Sequence, residues 1–370
     1  MSKLFEKSTI NGMALRNRFV RSATWEGMAG VEGGVTPKLT ALMVELAKGS
    51  VGMIITSHAY VRKDGQAGPW QLGIYSDTLV DGLREMTRSI HQYGSKVVVQ
   101  LAHAGFLASG KLSGQTPVAL SLLEGYGKSP RNELTASGIQ EIVEAFGRAG
   151  RRAKEAGFDG VQIHAAHGYL LSQSLSPAFN RRQDGYGGPV ANRARLLLEV
   201  LKRLRTELGD DYPILVKMNS QDFLESGLSL EDSLKVGAML DAGGIDAIEL
   251  SGGTLLSGHL SPSRAKISSE EKEAYFKEAA TAFKEKVTVP LILVGGVRSF
   301  QVAENLIIGG VADYISMCRP LIREPDLIKR WESGDLRRAQ CVSDNQCFGP
   351  ARDGEGIYCV VDRKARKEVE

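Results

Sequence analysis

Three side chains able to donate hydrogen bonds or a proton crowd into one short stretch, His164-Ala165-Ala166-His167-Gly168-Tyr169. The chain has six histidines, and two of them stand here. A neutral imidazole donates one hydrogen bond, and a phenol can give both a hydrogen bond and a proton. At the end of one strand such a trio could grip a substrate carbonyl and complete its reduction. From the segment alone, two satisfied histidines and a packed tyrosine are an equal alternative.

The trio ends an apolar, β-like run, Gly157–His164. Comparable runs are Arg18–Thr24, Val51–Val61, Lys96–Ala104, Pro213–Asn219, Ile245–Leu250, Val289–Val294 and Asp313–Cys318. Several, such as Val97-Val98-Val99 and Leu291-Ile292-Leu293-Val294, are continuous, which suits parallel strands buried on both faces. Helix-like stretches lie between them. Thr135–Ala156 carries Ile139, Ile142, Val143, Phe146 and Ala149 at helical spacing, with Thr135 or Ser137 as cap and Gly157 as stop. Arg193–Leu208 is another. Eight such units predict an α/β fold, a (β/α)8 TIM barrel, over a doubly wound sheet. A short cap precedes it. Residues 1–340 are read as the barrel and 341–370 as a C-terminal extension of the same domain. The longest excursions, Ala102–Asn132 and Leu170–Asn192, leave the C-terminal strand ends, where barrel active sites sit.

Composition narrows the setting. A net charge of +3 over 370 residues gives no argument for nucleic acid, membrane surface or an acidic partner. The N-terminus lacks a signal-peptide core, and no apolar stretch approaches the roughly 18 residues of a membrane span. Four cysteines in this length do not form a disulfide framework, so a cytoplasmic protein is expected.

A phosphate site is expected after strands seven and eight, at Val294-Gly295-Gly296-Val297-Arg298 and Met317-Cys318-Arg319-Pro320. Glycines admit an anion close to backbone N–H groups, and an arginine adds a charged fork. A tight turn and a surface ion pair are the plainer alternative. No Gly-x-Gly-x-x-Gly is present, which argues against a private nicotinamide domain. Gly127-Lys128-Ser129 lacks the upstream glycine of a P-loop, since position 122 is leucine. Gln100 and Lys217 each interrupt an apolar strand, which is costly unless they are paired. A cofactor with carbonyl oxygens and an anionic reduced ring would satisfy both. A Lys–Asp or Lys–Glu pair inside the barrel mouth would serve equally for Lys217.

The trio continues through Ser176-Pro177-Ala178-Phe179-Asn180-Arg181-Arg182-Gln183-Asp184-Gly185-Tyr186-Gly187-Gly188 and closes on Asn192-Arg193-Ala194-Arg195. Asn17-Arg18-Phe19-Val20, Gln100-Leu101-Ala102-His103-Ala104-Gly105, Lys217, Gly295-Gly296 and Arg319-Pro320 fall in order around it. Together they closely resemble the old yellow enzyme family of FMN-dependent ene-reductases, over roughly residues 3 to 340. The resemblance implies non-covalent FMN at the barrel mouth, with NADPH or NADH as transient hydride donor. It implies that Gln100 meets the flavin pyrimidine edge and that Lys217 lies near N1 and O2. Gly295, Gly296, Cys318 and Arg319 would cradle the phosphate. Ala23 and Thr24 would lie beside the ring, with the register open between Thr24 and Trp25 at one position. His58 stands where many relatives have a small residue; it could add a donor, narrow the pocket or be structural. His164 and His167 would bind the carbonyl of an activated alkene, or a phenolic ligand. Hydride would pass from flavin N5 to the β-carbon, and Tyr169 would protonate the α-carbon. Barrels of this kind often pair, so a homo-oligomer is expected.

Larger relatives carry a four-cysteine iron–sulfur segment after the barrel. Cys341, Cys347 and Cys359 echo it, but Asp344 replaces a cysteine, so free thiols and no metal are expected. Competing readings are a flavin barrel acting on amines or dienoyl thioesters, and a flavin-free aldolase or isomerase using Lys217. A non-catalytic ligand binder is the remaining one, and a proton donor in the site argues against it.

Overall fold

The computed structural model describes residues 2–123 and 130–367; Gly127-Lys128-Ser129 lies outside them. Eight parallel strands close into a barrel in sequential order. They are β1 (Phe19–Arg21), β2 (Met53–Tyr60), β3 (Lys96–Ala102), β4 (Gly160–Ala165), β5 (Ile214–Asn219), β6 (Ala247–Ser251), β7 (Leu291–Val294) and β8 (Tyr314–Met317). The helices that follow β1 to β7 are α1 (Pro37–Lys48), α2 (Val80–His91), α3 (Ala136–Glu155), α4 (Val190–Leu208), α5 (Leu230–Ala242), α6 (Lys277–Lys284) and α7 (Phe300–Ile308). Two short helices, Arg319–Arg323 and Leu327–Glu332, follow β8.

Local chemistry sets these elements. Thr135 caps α3 by accepting from the Gly138 N–H at 3.0 Å. Gly157, at φ +79°, turns the chain out of it. The β3 valines divide by parity. Val98 points into the barrel, while Val97 and Val99 pack outward against the helical shell. With both faces buried, the strand reads as a continuous apolar run.

The barrel interior has two unlike layers. Val20, Val98, Leu215, Ala247 and Tyr314 join Met53, Ile55 and Ile292 in an apolar cluster. An N-terminal hairpin, Ser8–Ile10 with Met13–Leu15, plugs that end with Ile10, Met13 and Leu15. Two residues further along the same strands, the period of a strand face, stand Ser22, Gln100, Lys217, Glu249 and Ser316, all buried. The C-terminal segment folds back over this polar end. Cys347, Ala351 and Ile357 pack with Trp25 and Met28, and Ile357 N–H donates to Glu26 O at 2.8 Å. Among the described residues, no helix is long and apolar enough to cross a membrane.

Candidate active site

Above the polar layer lies a cavity of about 670 Å³, within the usual range for small-molecule sites. Its floor is a hydrogen-bonded network centred on Glu249. Glu249 Oε1 accepts from Lys217 Nζ at 3.1 Å, Ser22 Oγ at 2.7 Å and Ser316 Oγ at 2.8 Å. Its Oε2 accepts from Gln162 Nε2 at 2.8 Å, and Gln162 Oε1 accepts from Gln100 Nε2 at 2.7 Å. Burial pushes the Glu249 carboxyl up, but Lys217 and the hydroxyl and amide donors outweigh it and hold it below the usual carboxylate range. Of the alternatives left open for Lys217, the structure shows the Lys–Glu pair. The sequence offered the same signal for Glu249, an acid in the apolar strand Ala247–Ser251. Its partner emerges only from the register that sets Glu249 beside Lys217.

The trio hangs over the C-terminal end of β4. His164 is the strand's last inward residue before Ala165; His167 lies beyond it in the left-handed region at φ +64°. Its backbone N–H donates to Asn219 Oδ1 at 3.2 Å, and its Nε2 lies 2.8 Å from Ser251 Oγ. Tyr169 then enters the short helix Leu170–Leu175. The His164 ring centroid is 4.5 Å from that of Tyr169 and 5.4 Å from that of His167. Burial depresses both histidine pKa values well below 6.5, helped by the neighbouring imidazoles and Lys217 for His164, and by Lys217 and His58 for His167. Both rings are therefore neutral donors at neutral pH. Burial raises the Tyr169 pKa, so the phenol keeps its proton. Among the described residues, the buried His164 Nδ1 has no hydrogen-bond partner.

The other expected residues gather round the same cavity. Ala23, Thr24, His58, Lys217, Gly296, Cys318 and Arg319 line it with the trio, and so does Trp25. Thr24 Oγ1 lies 3.0 Å from Cys318 Sγ. Gly296 is required twice over: its φ is +79°, and a Cβ there would come within 2.8 Å of the Tyr275 ring. Arg319 Nη1 donates to Asn345 Oδ1 at 2.7 Å, and Asn345 Nδ2 donates to Ser263 O at 2.6 Å. The C-terminal segment thus props the arginine, which the sequence did not reveal. Gln100 and Gly295 stand apart from the lining. Gln100 lies in the same buried layer, where its Nε2 donates to Gln162 Oε1.

The cysteines do not match the four-cysteine segment. Cys341 and Cys347 are buried thiols, and burial with the neighbouring cysteines pushes Cys347 up to about 12. Asp344 Oδ1 accepts from the Gln346 N–H. Among the described residues, no group of three or more His, Cys, Asp or Glu is gathered as metal ligands. These donors do not fit an iron–sulfur cluster.

Residues 3–337 match the model of the NADH:flavin oxidoreductase / NADH oxidase family. An NADH oxidase of Thermoanaerobacter brockii is 35% identical over 99% of this chain and 58% of its own. A 2-naphthoyl-CoA reductase structure superposes with a TM-score of 0.88 at 28% identity, over 97% of this chain and 56% of that one. The old yellow enzyme homologue from Zymomonas mobilis does so with 0.78 at 26%, over 91% and 94%. The chain therefore spans between half and two thirds of the longer relatives and nearly all of the barrel-sized one. Since the family match covers all eight strands and the whole cavity floor, the chain belongs to the NADH:flavin oxidoreductase / NADH oxidase family.

Proposed function

We propose that this flavin oxidoreductase reduces the C=C bond of α,β-unsaturated carbonyl compounds. One observation carries the reading: two neutral histidines and a protonated tyrosine converge in one cavity lined also by Lys217 and the glycine–arginine corner. FMN is the family's cofactor, with NADH or NADPH as donor, and the residues present fit it. Lys217 and the unpartnered His164 Nδ1 suit the ring and its surroundings. Gly296, Cys318 and Arg319 suit the phosphate, with Ala23, Thr24 and His58 beside the ring. Bound FMN supplies the hydride chemistry between nicotinamide and substrate.

The chain's own residues do the rest. His164 and His167 donate to the substrate oxygen and stabilise the negative charge that grows there. Neutral rings avoid the desolvation cost of two buried imidazolium ions. Tyr169 gives its proton to the α-carbon; the O–H bond breaks, the C–H bond forms and a phenolate remains. Lys217, the Schiff-base candidate of a flavin-free barrel, is held by Glu249 and Ser22, which weighs against that chemistry. Residues 341–367 are read as part of the barrel domain, because Asn345 reaches its phosphate corner. The test is anaerobic absorption of the FMN-loaded protein. The flavin bands should bleach with NADPH and return with 2-cyclohexenone. Bands that bleach and stay bleached would remove the alkene substrate class, and a protein that takes up no FMN would remove the cofactor assignment.

A further inference from the structure

His58 is placed by the sequence only as a neighbour of the flavin, and Gln71 is not singled out at all. In the structure they form a chain that ends on the proton donor. Gln71 is fully buried. Its amide is oriented without ambiguity, because Oε1 accepts from the Ala67 N–H at 2.7 Å and faces the Gly68 N–H at 3.4 Å. Nε2 therefore points the other way, 2.9 Å from His58 O and 2.8 Å from His58 Nδ1. Two amide hydrogens meet two acceptors. With a donor opposite it, His58 Nδ1 must present its lone pair. The ring proton of the neutral imidazole then sits on Nε2, which lies 3.3 Å from Tyr169 Oη.

We propose that Gln71 fixes His58 as the Nε2–H tautomer, and that this N–H donates to the Tyr169 oxygen so that the phenolic proton is left free for the substrate. The proposal rests on Tyr169 being the proton donor of the reaction. His58 is then a positioning residue, acting through Tyr169. The reverse tautomer would accept the phenolic proton and withhold it.

Three observations support this arrangement. Burial lowers the His58 pKa to about 4, so the ring is neutral at working pH and has one proton to place. Among the described residues, the Tyr169 hydroxyl meets no other hydrogen-bonding group than His58 Nε2. The backbone also holds Gln71 in place: Trp70 before it is in the left-handed region at φ +50°, and Leu72 O and Ile74 N–H after it pair with Tyr60. A non-glycine residue in that region is held by its surroundings. The 3.3 Å contact is slack while the phenol is neutral. Transfer of the proton leaves a phenolate, for which an N–H donor is worth more. The bond thus strengthens as the reaction proceeds, which is the differential a catalytic contact needs.

The test uses FMN-loaded protein and separates the two half-reactions by stopped flow, with NADPH and then 2-cyclohexenone. In Gln71→Glu the carboxylate can only accept, so Nδ1 takes the ring proton and the tautomer reverses. Reoxidation by the enone should slow about tenfold or more, the worth of one hydrogen bond to a charged group, with a far smaller change in reduction by NADPH. His58→Leu should slow the same step, and His58→Gln, which restores an N–H near Nε2, should recover much of that loss. A second readout needs no turnover: ¹⁵N shifts of ring-labelled histidine should show the Nε2–H form for His58 in wild type and the Nδ1–H form in Gln71→Glu. A wild-type Nδ1–H form, or an unchanged enone step in Gln71→Glu, overturns the proposal alone. An unchanged enone step in Tyr169→Phe removes the proton donor, and the proposal falls with it.

Discussion

Val98, Leu215, Ala247 and Tyr314 form one layer of the barrel interior; Gln100, Lys217, Glu249 and Ser316 form the next, two residues along the same strands. The lower layer is ordinary core. Each side chain there loses its water to apolar neighbours, worth about 1.5–3 kcal/mol for a residue such as Leu215. The upper layer buries a full ion pair, an arrangement that apolar packing could often equal or exceed in stability. We propose that the pair beneath the cavity serves the site: a fixed cation and fixed donors, already desolvated, face the cavity in which the flavin and substrate would be held. The contrast teaches that stability and chemistry are divided along the barrel axis, with the strand period of two as the only separation.

The sharpest way to break the contrast is Glu249→Leu. It leaves Lys217 buried without its counter-charge and should cost about 3–5 kcal/mol in urea unfolding. Adding Lys217→Met should return most of that stability while leaving FMN affinity impaired; recovery of both would mean the pair is structural only. In the lower layer, Leu215→Ala should cost about 2–5 kcal/mol with little change in FMN affinity or in either half-reaction of the folded fraction. A loss of catalysis there comparable to that in the upper layer would erase the division.

The histidines extend the contrast to pH. The folded-state pKa of His58 is lowered to about 4 by burial, and burial lowers His164 and His167 well below 6.5 as well. Below 6.5 the unfolded chain takes protons that the folded chain refuses, so stability falls as pH drops. The slope is about 1.4 kcal/mol per pH unit for each such histidine, and the contribution of His58 stops growing near its folded-state value. Thermal melts between about pH 7 and pH 5 should show the fall, and His58→Gln should flatten it. The smallest expected effect is at the phosphate corner. Asn345→Ala removes the acceptor of Arg319 and should weaken FMN binding by about 0.5–1.5 kcal/mol, read by fluorescence titration.

Much of this was legible in the chain. The β-then-α period gave the barrel because every strand is buried on both faces. Lys217 was legible because a charge in an apolar strand needs a partner, and the trio and the glycine–arginine corner because they stand at the C-terminal ends of strands. What stayed hidden depends on register or on loops. Glu249 carried the same signal as Lys217, but their pairing is a cross-strand fact. Gln71 sits in a loop with no periodicity, and the role proposed for it rests on its amide contacts with Ala67 and His58. Asn345 lies in the C-terminal extension, and its amide ties that segment to Arg319 and Ser263. The hydrogen bond from Gln100 to Gln162 was likewise hidden, because it joins neighbouring strands in register.

The most direct test of the central claim compares both half-reactions in wild type and Tyr169→Phe. If Tyr169 supplies the proton, the variant should bind FMN and accept hydride from NADPH nearly as wild type, while reduction of 2-cyclohexenone slows by about 10²- to 10⁴-fold. Equal slowing of both half-reactions, or of neither, would contradict the assignment of Tyr169 as the proton donor.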